Sequence, residues 1–502
     1  MLATWGEASA GLAGSDPTIA KIKNVVVIVL ENHSFDNLYG LFPGANGLQN
    51  VTPMNSTQLD RDGSVLNELP PIWGGLTAEG VVPVINQIQT EHLPNKPFAV
   101  DDPKKLNASL SVMTRNVTNN FYSNKMQING GKNNYFAAYG KSGALVMSYY
   151  DGSKLPLWPL AKKYTLADNF FSGAFGNSFL NHFWLICACT PFYPNANKSP
   201  AKGLIAVLDA DMVTPTLTAD SPKSAMGGES IFVNIGKITP DFYAVDTLYP
   251  AYQPSKYESA KGGNPSYADT KNSNVLPPQT DKTIGEMLSK KNVSWSWYGG
   301  AWQMFLDGDR TDPVPNFKSH HQPFNYFSAY APGTKARALH LVDGGLKGEV
   351  FMKAIDAGML PQVSFYKPQG NLNQHSGYTD ILSGDEHIAD VISHLEKSPQ
   401  WSNMLVIVTY DESGGYWDHV APPKGDRWGP GLRIPTLLIS PLVKKGFVDH
   451  TQYDSTSIMR FINKRFQLQP LPGLQARDKA LKTNGMPPIG DLTNALIDGA
   501  AR

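Results

Sequence analysis

Runs of apolar, largely β-branched residues punctuate the chain at Val25 to Leu30, Gly203 to Leu208, Val293 to Trp297, Gln362 to Tyr366, Leu405 to Tyr410 and Ile434 to Ser440. Several are continuous rather than alternating, the pattern of strands covered on both faces in a mostly parallel sheet. Between them the apolar spacing changes to that of helices. Thr283 to Lys290 is one such segment, and Gly384 to Lys397 is another, with Ile388, Val391, Ile392 and Leu395 on a common face. Strand and helix in this alternation predict an α/β fold, a mostly parallel central sheet sandwiched by helices. Segments 43–101 and 190–278 are rich in Pro, Gly, Asn and Ser and read as long surface insertions able to wall or cover a site. No linker or repeat divides the chain, so residues 1–502 read as one domain with an N-terminal extension over 1–20.

Composition narrows the function classes. Lys+Arg 43 against Asp+Glu 43 leaves a formal net charge of +0, without the basic excess that a nucleic-acid partner requires. A hydrophobic share of 41% beside 17% charged residues supplies a large core and excludes disorder as a description of the whole. The longest aliphatic run, Val25 to Leu30, falls far short of the roughly 18 residues of a membrane span, so no integral membrane segment is expected. Met1 to Ser15 shows neither a basic n-region nor an apolar h-region, so either the chain is cytoplasmic or a leader lies outside this sequence. Cys187 and Cys189, one residue apart, read as buried small apolar residues, being poorly placed to bridge each other.

Two of the predicted strands run straight into chemistry. Val25 to Leu30 ends in Glu31-Asn32, and Leu405 to Tyr410 ends in Asp411-Glu412. Ligands of open α/β sheets bind beyond the carboxyl ends of strands. Acids at strand ends also start loops and cap helices, but two such pairs shift the reading toward one oxygen-rich site for a divalent cation such as Mg, Ca, Mn, Fe or Zn. Gly173 to His182 reads as a tight turn opening a helix, with Ser178 in its first turn. There Ser178 is either a helix cap or, in the field of the helix N-terminus and beside a metal, a nucleophile. His33, His92, His320, His321, His375 and His419 sit in polar loops, and those near the second acidic strand end, His375 and His419, are candidates to protonate a leaving group or bind a phosphoryl oxygen. His387 and His394, on the second predicted helix, read as structural or solvent-facing.

Glu31-Asn32-His33-Ser34-Phe35-Asp36-Asn37 and Tyr410 to Val420, with Pro422-Pro423 behind, together resemble the paired motifs of the bacterial phosphoesterase family of phospholipases C and acid phosphatases, within the alkaline-phosphatase-like superfamily. Leu155 to Trp158, Tyr164 to Phe171, Ser178 to His182, Pro323 to Phe327 and Ser398 to Trp401 resemble its acid phosphatase A branch, the respiratory-burst-inhibiting type. The resemblance implies an alkaline-phosphatase-like sandwich and a single metal ion held by Glu31, Asn32, Ser178, Asp411 and Glu412, with Ser178 as nucleophile. It further implies that His92, Lys132, His321 and His375 line a phosphate pocket, and that the protein is periplasmic or secreted.

The expected activity is therefore acid hydrolysis of phosphomonoesters through a phosphoserine on Ser178. His375 or His321 as the imidazolium donor to the leaving alkoxide places the working range on the acid side. The alternatives are a phospholipase C or other phosphodiesterase, with Trp295, Trp297, Tyr298 and Trp302 seating a lipid or choline head group, and a non-catalytic binding protein on the same scaffold. The phospholipase branch carries a threonine followed by Pro-Asn-Arg where this chain has Ser178-Phe179-Leu180-Asn181-His182.

Overall fold

Seven consecutive buried residues, Asn24–Leu30, form the strand at the heart of the molecule (β1). The computed structural model describes residues 17–117, 119–308 and 316–497. Among these, seven further strands join β1 in one sheet: β2 (Thr165–Ala167), β3 (Trp295–Gly300), β4 (Leu341–Gly345), β5 (Val363–Lys367), β6 (Met404–Tyr410), β7 (Thr436–Ile439) and β8 (Phe447–Asp449). Their order is β8-β2-β7-β6-β1-β5-β3-β4. Only β7 runs against its neighbours. β1 pairs in parallel with both β5 and β6, so the carboxyl ends of all three open on the same edge of the sheet.

Two helical layers cover the sheet. Consecutive strand residues point to opposite faces, and Phe365 and Tyr366 show what lies on each. Phe365 stacks on Trp297 at 5.3 Å, on the side of helix Ser178–Ile186, whose His182 ring lies 6.2 Å from that tryptophan. Tyr366 stacks on Phe351 at 4.4 Å and bonds His387, both on helices of the other face. We label the helices α1 (Phe35–Tyr39), α2 (Ser178–Ile186), α3 (Ile284–Lys290), α4 (Glu349–Asp356) and α5 (Ile381–Lys397). Burial on both faces explains the continuous apolar runs of β1 and β6. In α5, Asp380 caps the first turn by accepting from the Ser383 N–H, and Ile388, Val391, Ile392 and Leu395 are all buried as their spacing requires.

Three expectations are corrected. Gly203 to Leu208 is not a strand: a 3₁₀ turn over Pro200–Leu204 is followed by isolated bridges, with Val207 exposed. Cys187 and Cys189 form a disulfide rather than standing as free apolar residues, because Ala188 turns the chain at φ 48° and brings the two Cα atoms to 5.1 Å, within bridging range. The aromatic residues proposed as a head-group wall, Trp295, Trp297, Tyr298 and Trp302, are all buried in the core. Residues 1–16 of the expected N-terminal extension lie outside the described residues, and Pro17–Lys21 form a short helix with Ile19 in the core. In segments 43–101 and 190–278, short turns and two-residue strands dominate, while Leu69, Ile72, Ile238 and Val245 join the same apolar cluster as the sheet.

One polar node locks the loops that follow β1 and β6. Arg433, fully buried, donates to Asp36 at 3.0 Å and Asp418 at 3.0 Å, and to the carbonyls of Asn46 and Asp168. Ser34 donates to the Trp417 carbonyl at 2.7 Å, and the Asp36 N–H to Asp418. Removing one partner of such a pair strands a buried charge. Arg433→Met should therefore cost about 3–5 kcal/mol in urea unfolding; a loss below 1 kcal/mol would mean that the two loops are held by packing alone.

Candidate functional site

The main-chain bond from the Asp411 N–H to the Leu30 carbonyl, 3.1 Å, carries the β1–β6 register one step past the strands. Glu31-Asn32 and Asp411-Glu412 therefore leave the sheet side by side, all four buried. Opposite them stands the first turn of α2. Its approach depends on Gly176, whose φ of +89° belongs to the left-handed region and where a Cβ would lie 2.8 Å from the Phe121 backbone. Asn181 fixes the same turn by accepting from the Ala174 N–H and donating to the Ala174 and Gly176 carbonyls. Ser178 is the first residue of α2, and its Oγ donates to Asn32 Oδ1 at 3.2 Å.

Each carboxylate has a different setting. Glu31 Oε1 pairs with Lys367 Nζ at 2.8 Å and accepts from His321 Nε2 at 2.9 Å; Oε2 accepts from Asn373 Nδ2 at 2.8 Å and the Tyr378 hydroxyl at 3.0 Å. Burial works to raise its pKa, but Lys367 and His321 outweigh it and hold Glu31 well below the usual carboxylate range. Glu412 Oε2 accepts from Asn119 Nδ2 at 2.7 Å and from the Gly414 N–H. Burial, followed by the charge of Asp411, pushes Glu412 well up. Burial likewise lifts Asp411 to about 8, against the pull of Lys367 and with the push of Glu31. Asp411 Oδ2 and His182 Nε2 are buried without a hydrogen-bond partner.

These features test whether a cation fits. Two adjacent carboxylates that burial drives toward protonation, a bare carboxylate oxygen and a bare imidazole nitrogen are what a divalent ion would satisfy. Glu31, His182 and Asp411 each offer a donor atom within 4.8 Å of the others. The donor set fits a divalent ion, with Glu31 and Asp411, both among the expected ligands, and His182 able to hold it.

A cleft of about 190 Å³ opens over this floor, lined by Asn32, Ser178, Glu412, His320, His375 and Tyr378 among others. His375 stacks on Tyr378 at 4.4 Å and directs Nδ1 to the Ser376 carbonyl at 2.6 Å, which leaves Nε2 for the cleft. Burial is the main cause that lowers its pKa. His321 does not reach the cleft. Its Nδ1 accepts from the Lys318 N–H, so Nε2 carries the proton donated to Glu31, and burial lowers its pKa to about 4. It orients Glu31 instead of protonating a leaving group, and its neighbour His320 is the member of the pair that faces the cleft.

His92 and Lys132 are not brought to the site. The His92 side chain is 81% exposed and pairs with Glu68, and Lys132 is exposed at the end of a short turn. His33 is buried between Asn37 and the Gln374 carbonyl, and the half-buried His419 bonds Asp36 and Asn46, so both brace loops. The trio Asp36, Asp418 and His419 has metal-like spacing, yet both carboxylates are already paired with Arg433, and Asp36 with His419 as well. On α5, His387 bonds the Tyr366 hydroxyl and His394 pairs with Asp356. Sequence reading missed Lys367, His182, Asn119, Asn373 and Tyr378. For His182 the signal was present, since it stands four residues after Ser178 on one helix face.

The fold and floor define an α/β sandwich with an oxygen-rich centre at its strand ends and a hydroxyl at a helix N-terminus. Residues 22–469 match the Phosphoesterase family, and the chain belongs to that family. It is 27% identical over 248 residues to a non-hemolytic phospholipase C of Pseudomonas aeruginosa, covering 42% of this chain and 32% of that one. It is 31% identical over 160 residues to phospholipase C B of Mycobacterium tuberculosis, covering 27% and 29%. The matches thus span about a third of the length of these curated relatives. Among solved structures, a protein in the alkaline phosphatase superfamily from Vibrio parahaemolyticus is similar at 14% identity and a TM-score of 0.23, covering 40% of this chain and 50% of that one.

Two outcomes are expected. Wild-type protein should bind a divalent ion that Glu31→Ala and Asp411→Ala each lose, counted by elemental analysis; full occupancy in both variants would reject them as ligands. Burial pulls His419 down, but the bond and charge of Asp36, with Asp418, raise it above its ordinary 6.5. A raised folded-state value stabilises below the ordinary pKa and is lost as pH rises through the folded one. The stability gap between wild type and His419→Asn should accordingly narrow in urea titrations between about pH 6 and pH 9; a widening gap would contradict the assignment.

Proposed function

We propose that the chain is a metal-dependent acid phosphatase that hydrolyses phosphomonoesters through a phosphoserine on Ser178. The observation that carries this reading is the placement of the Ser178 hydroxyl, at the N-terminus of α2 and on the floor of the cleft, bonded to Asn32 and beside Asp411. A bound divalent ion would supply positive charge against the phosphoryl oxygens and favour the ionised serine. The free N–H groups of the first turn of α2 bind the phosphoryl oxygens. The Ser178 Oγ attacks phosphorus as the alkoxide, its proton having been released to solvent beforehand, while the bond to the leaving oxygen breaks and that oxygen takes a proton from His375 Nε2. Asn32 positions the nucleophile, and His321, Asn373 and Tyr378 hold Glu31 in place. Water then hydrolyses the phosphoserine, with His375 returning the proton balance by accepting from the water. A donor that must be an imidazolium works on the acid side.

The second reading, a phospholipase C or other phosphodiesterase, is favoured by the names of the curated relatives. The small cleft and the burial of Trp295, Trp297, Tyr298 and Trp302 support the monoester reading instead. An exported, periplasmic or secreted protein is part of the proposal, supported by the Cys187–Cys189 disulfide, since such bonds persist in oxidising compartments.

Initial rates on p-nitrophenyl phosphate and p-nitrophenylphosphorylcholine between pH 5 and pH 9 test the proposal. The monoester should be preferred on the acid side, and Ser178→Ala should lose on the order of 10³-fold or more in kcat with the fold retained. Preference for the choline diester would make the chain a phospholipase C on the same floor. His375→Asn should slow an alkyl phosphate far more than the nitrophenyl ester, whose leaving group needs no proton; equal losses would remove His375 as the donor.

A further inference from the structure

Helix α2 begins without a side-chain cap. Its N-cap residue, Asn177, has the extended backbone that the position needs, φ −92° and ψ 177°, yet its side chain makes no bond to the helix. Asn120, with nearly the same backbone at φ −98° and ψ 163°, shows the ordinary outcome, for it accepts from the Ser123 N–H at the start of helix Phe121–Ile128. Asp380, Thr283 and Ser34 cap α5, α3 and α1 in the same way. In α2 the first main-chain bond runs from the Asn181 N–H to the Asn177 carbonyl. Among the described residues, the N–H groups of Ser178, Phe179 and Leu180 find no acceptor.

The reason lies in the 190–278 insertion. The Asn177 Nδ2 donates to Asp246 Oδ1, and the Thr247 N–H donates to the same oxygen. Val245 and Leu248, on either side, are fully buried in the apolar cluster, and Lys237 fastens the segment by donating to the Thr247 carbonyl at 3.1 Å and to Asn274 Oδ1 at 2.8 Å. The Asn177 Oδ1 is left buried with no partner. Were this side chain free to turn, that oxygen and one N–H of the first turn would satisfy each other. Unpaired polar groups are costly when buried, so the arrangement forgoes a stabilising cap at the one helix whose N-terminus meets the cleft. Asn177, Ser178 and Asp246 all line that cleft.

We propose that Asp246 holds Asn177 off the N-terminus of α2 and so keeps the first N–H groups of the helix open for the phosphoryl group. The proposal rests on the reading of those N–H groups as phosphate ligands and deepens it by naming the residue that keeps them available. Asp246 acts through Asn177 and is a positioning residue.

The test is the inhibition constant of inorganic phosphate against p-nitrophenyl phosphate hydrolysis by the full-length protein, with phosphate affinity by calorimetry as a readout independent of turnover. Asp246→Ala frees the amide to cap the helix, and the constant should rise about five-fold, the ratio given by a cap worth about 1 kcal/mol. Asp246→Asn keeps an accepting oxygen and should stay near wild type. Asp246→Ala with Asn177→Ala removes the cap as well and should return the constant toward wild type, which a merely structural role for Asp246 would not allow. An unchanged constant in a folded Asp246→Ala, or no recovery in the double variant, would overturn the proposal while leaving the phosphatase reading intact. Should Asp246→Ala not fold, Asn177→Ser, a strong cap too short to reach Asp246, should raise the constant where Asn177→Ala does not; equal constants in these two would also overturn it. Wild-type protein that neither hydrolyses the ester nor binds phosphate would instead overturn the reading of the α2 N-terminus, and this proposal with it.

Discussion

Three carboxylates taken out of water at the ends of two neighbouring strands are the constraint around which the molecule is arranged. Ionised carboxylates are expensive in a dry interior, and each here has received a different remedy. Glu31 is fully paired, with two bonds or ion pairs on either oxygen. Glu412 has one oxygen satisfied by Asn119 and the Gly414 N–H. Asp411 keeps a bare oxygen. The unsatisfied oxygen is thus on Asp411, the carboxylate that also bonds the Ser178 side chain.

Parallel pairing is what makes this crowding possible. In an antiparallel pair one strand's carboxyl end meets its neighbour's amino end, and Glu31 and Asp411 could not emerge together. With β5, β1 and β6 parallel and adjacent, three successive strand ends present Lys367, Glu31 and Asp411 in a row. The Arg433 node then ties the loops beyond β1 and β6 to each other, so that the motif residues Asp36, Asp418 and His419 serve geometry rather than chemistry.

What was legible in the sequence follows from the same physics. β1 and β6 are covered on both faces, so their runs are unbroken and their acidic ends stand out. β2 and β8 are three residues long, too short for any periodicity to register. Gly203 to Leu208 has strand composition, but no neighbouring strand offers it an extended ladder, and composition cannot supply one. Lys367 escaped notice because the apolar run was read to its last hydrophobic residue, Tyr366, and a lysine after it looks like solvent. His92 and His321 are equally polar-loop histidines by local pattern. Only the path of the insertions sends one to the surface and the other under Glu31.

Helix α2 carries the argument furthest. Within five residues it supplies a hydroxyl at its first position, an amide at Asn181 that braces the preceding turn, and an imidazole at His182 whose Nδ1 lies 3.6 Å from Asp411 Oδ2. Because the His182 Nδ1 is spent on the Ser178 carbonyl, the ring's orientation and the start of the helix are one geometric fact. A shift of α2 would move the Ser178 hydroxyl, the N–H groups of the first turn and the His182 imidazole together. The tight contact of Gly176 with the Phe121 backbone is thus a constraint on the whole cluster. The packing of one glycine sets the distance between the serine and the carboxylates, and with it whether the charge balance of the floor can act on a substrate.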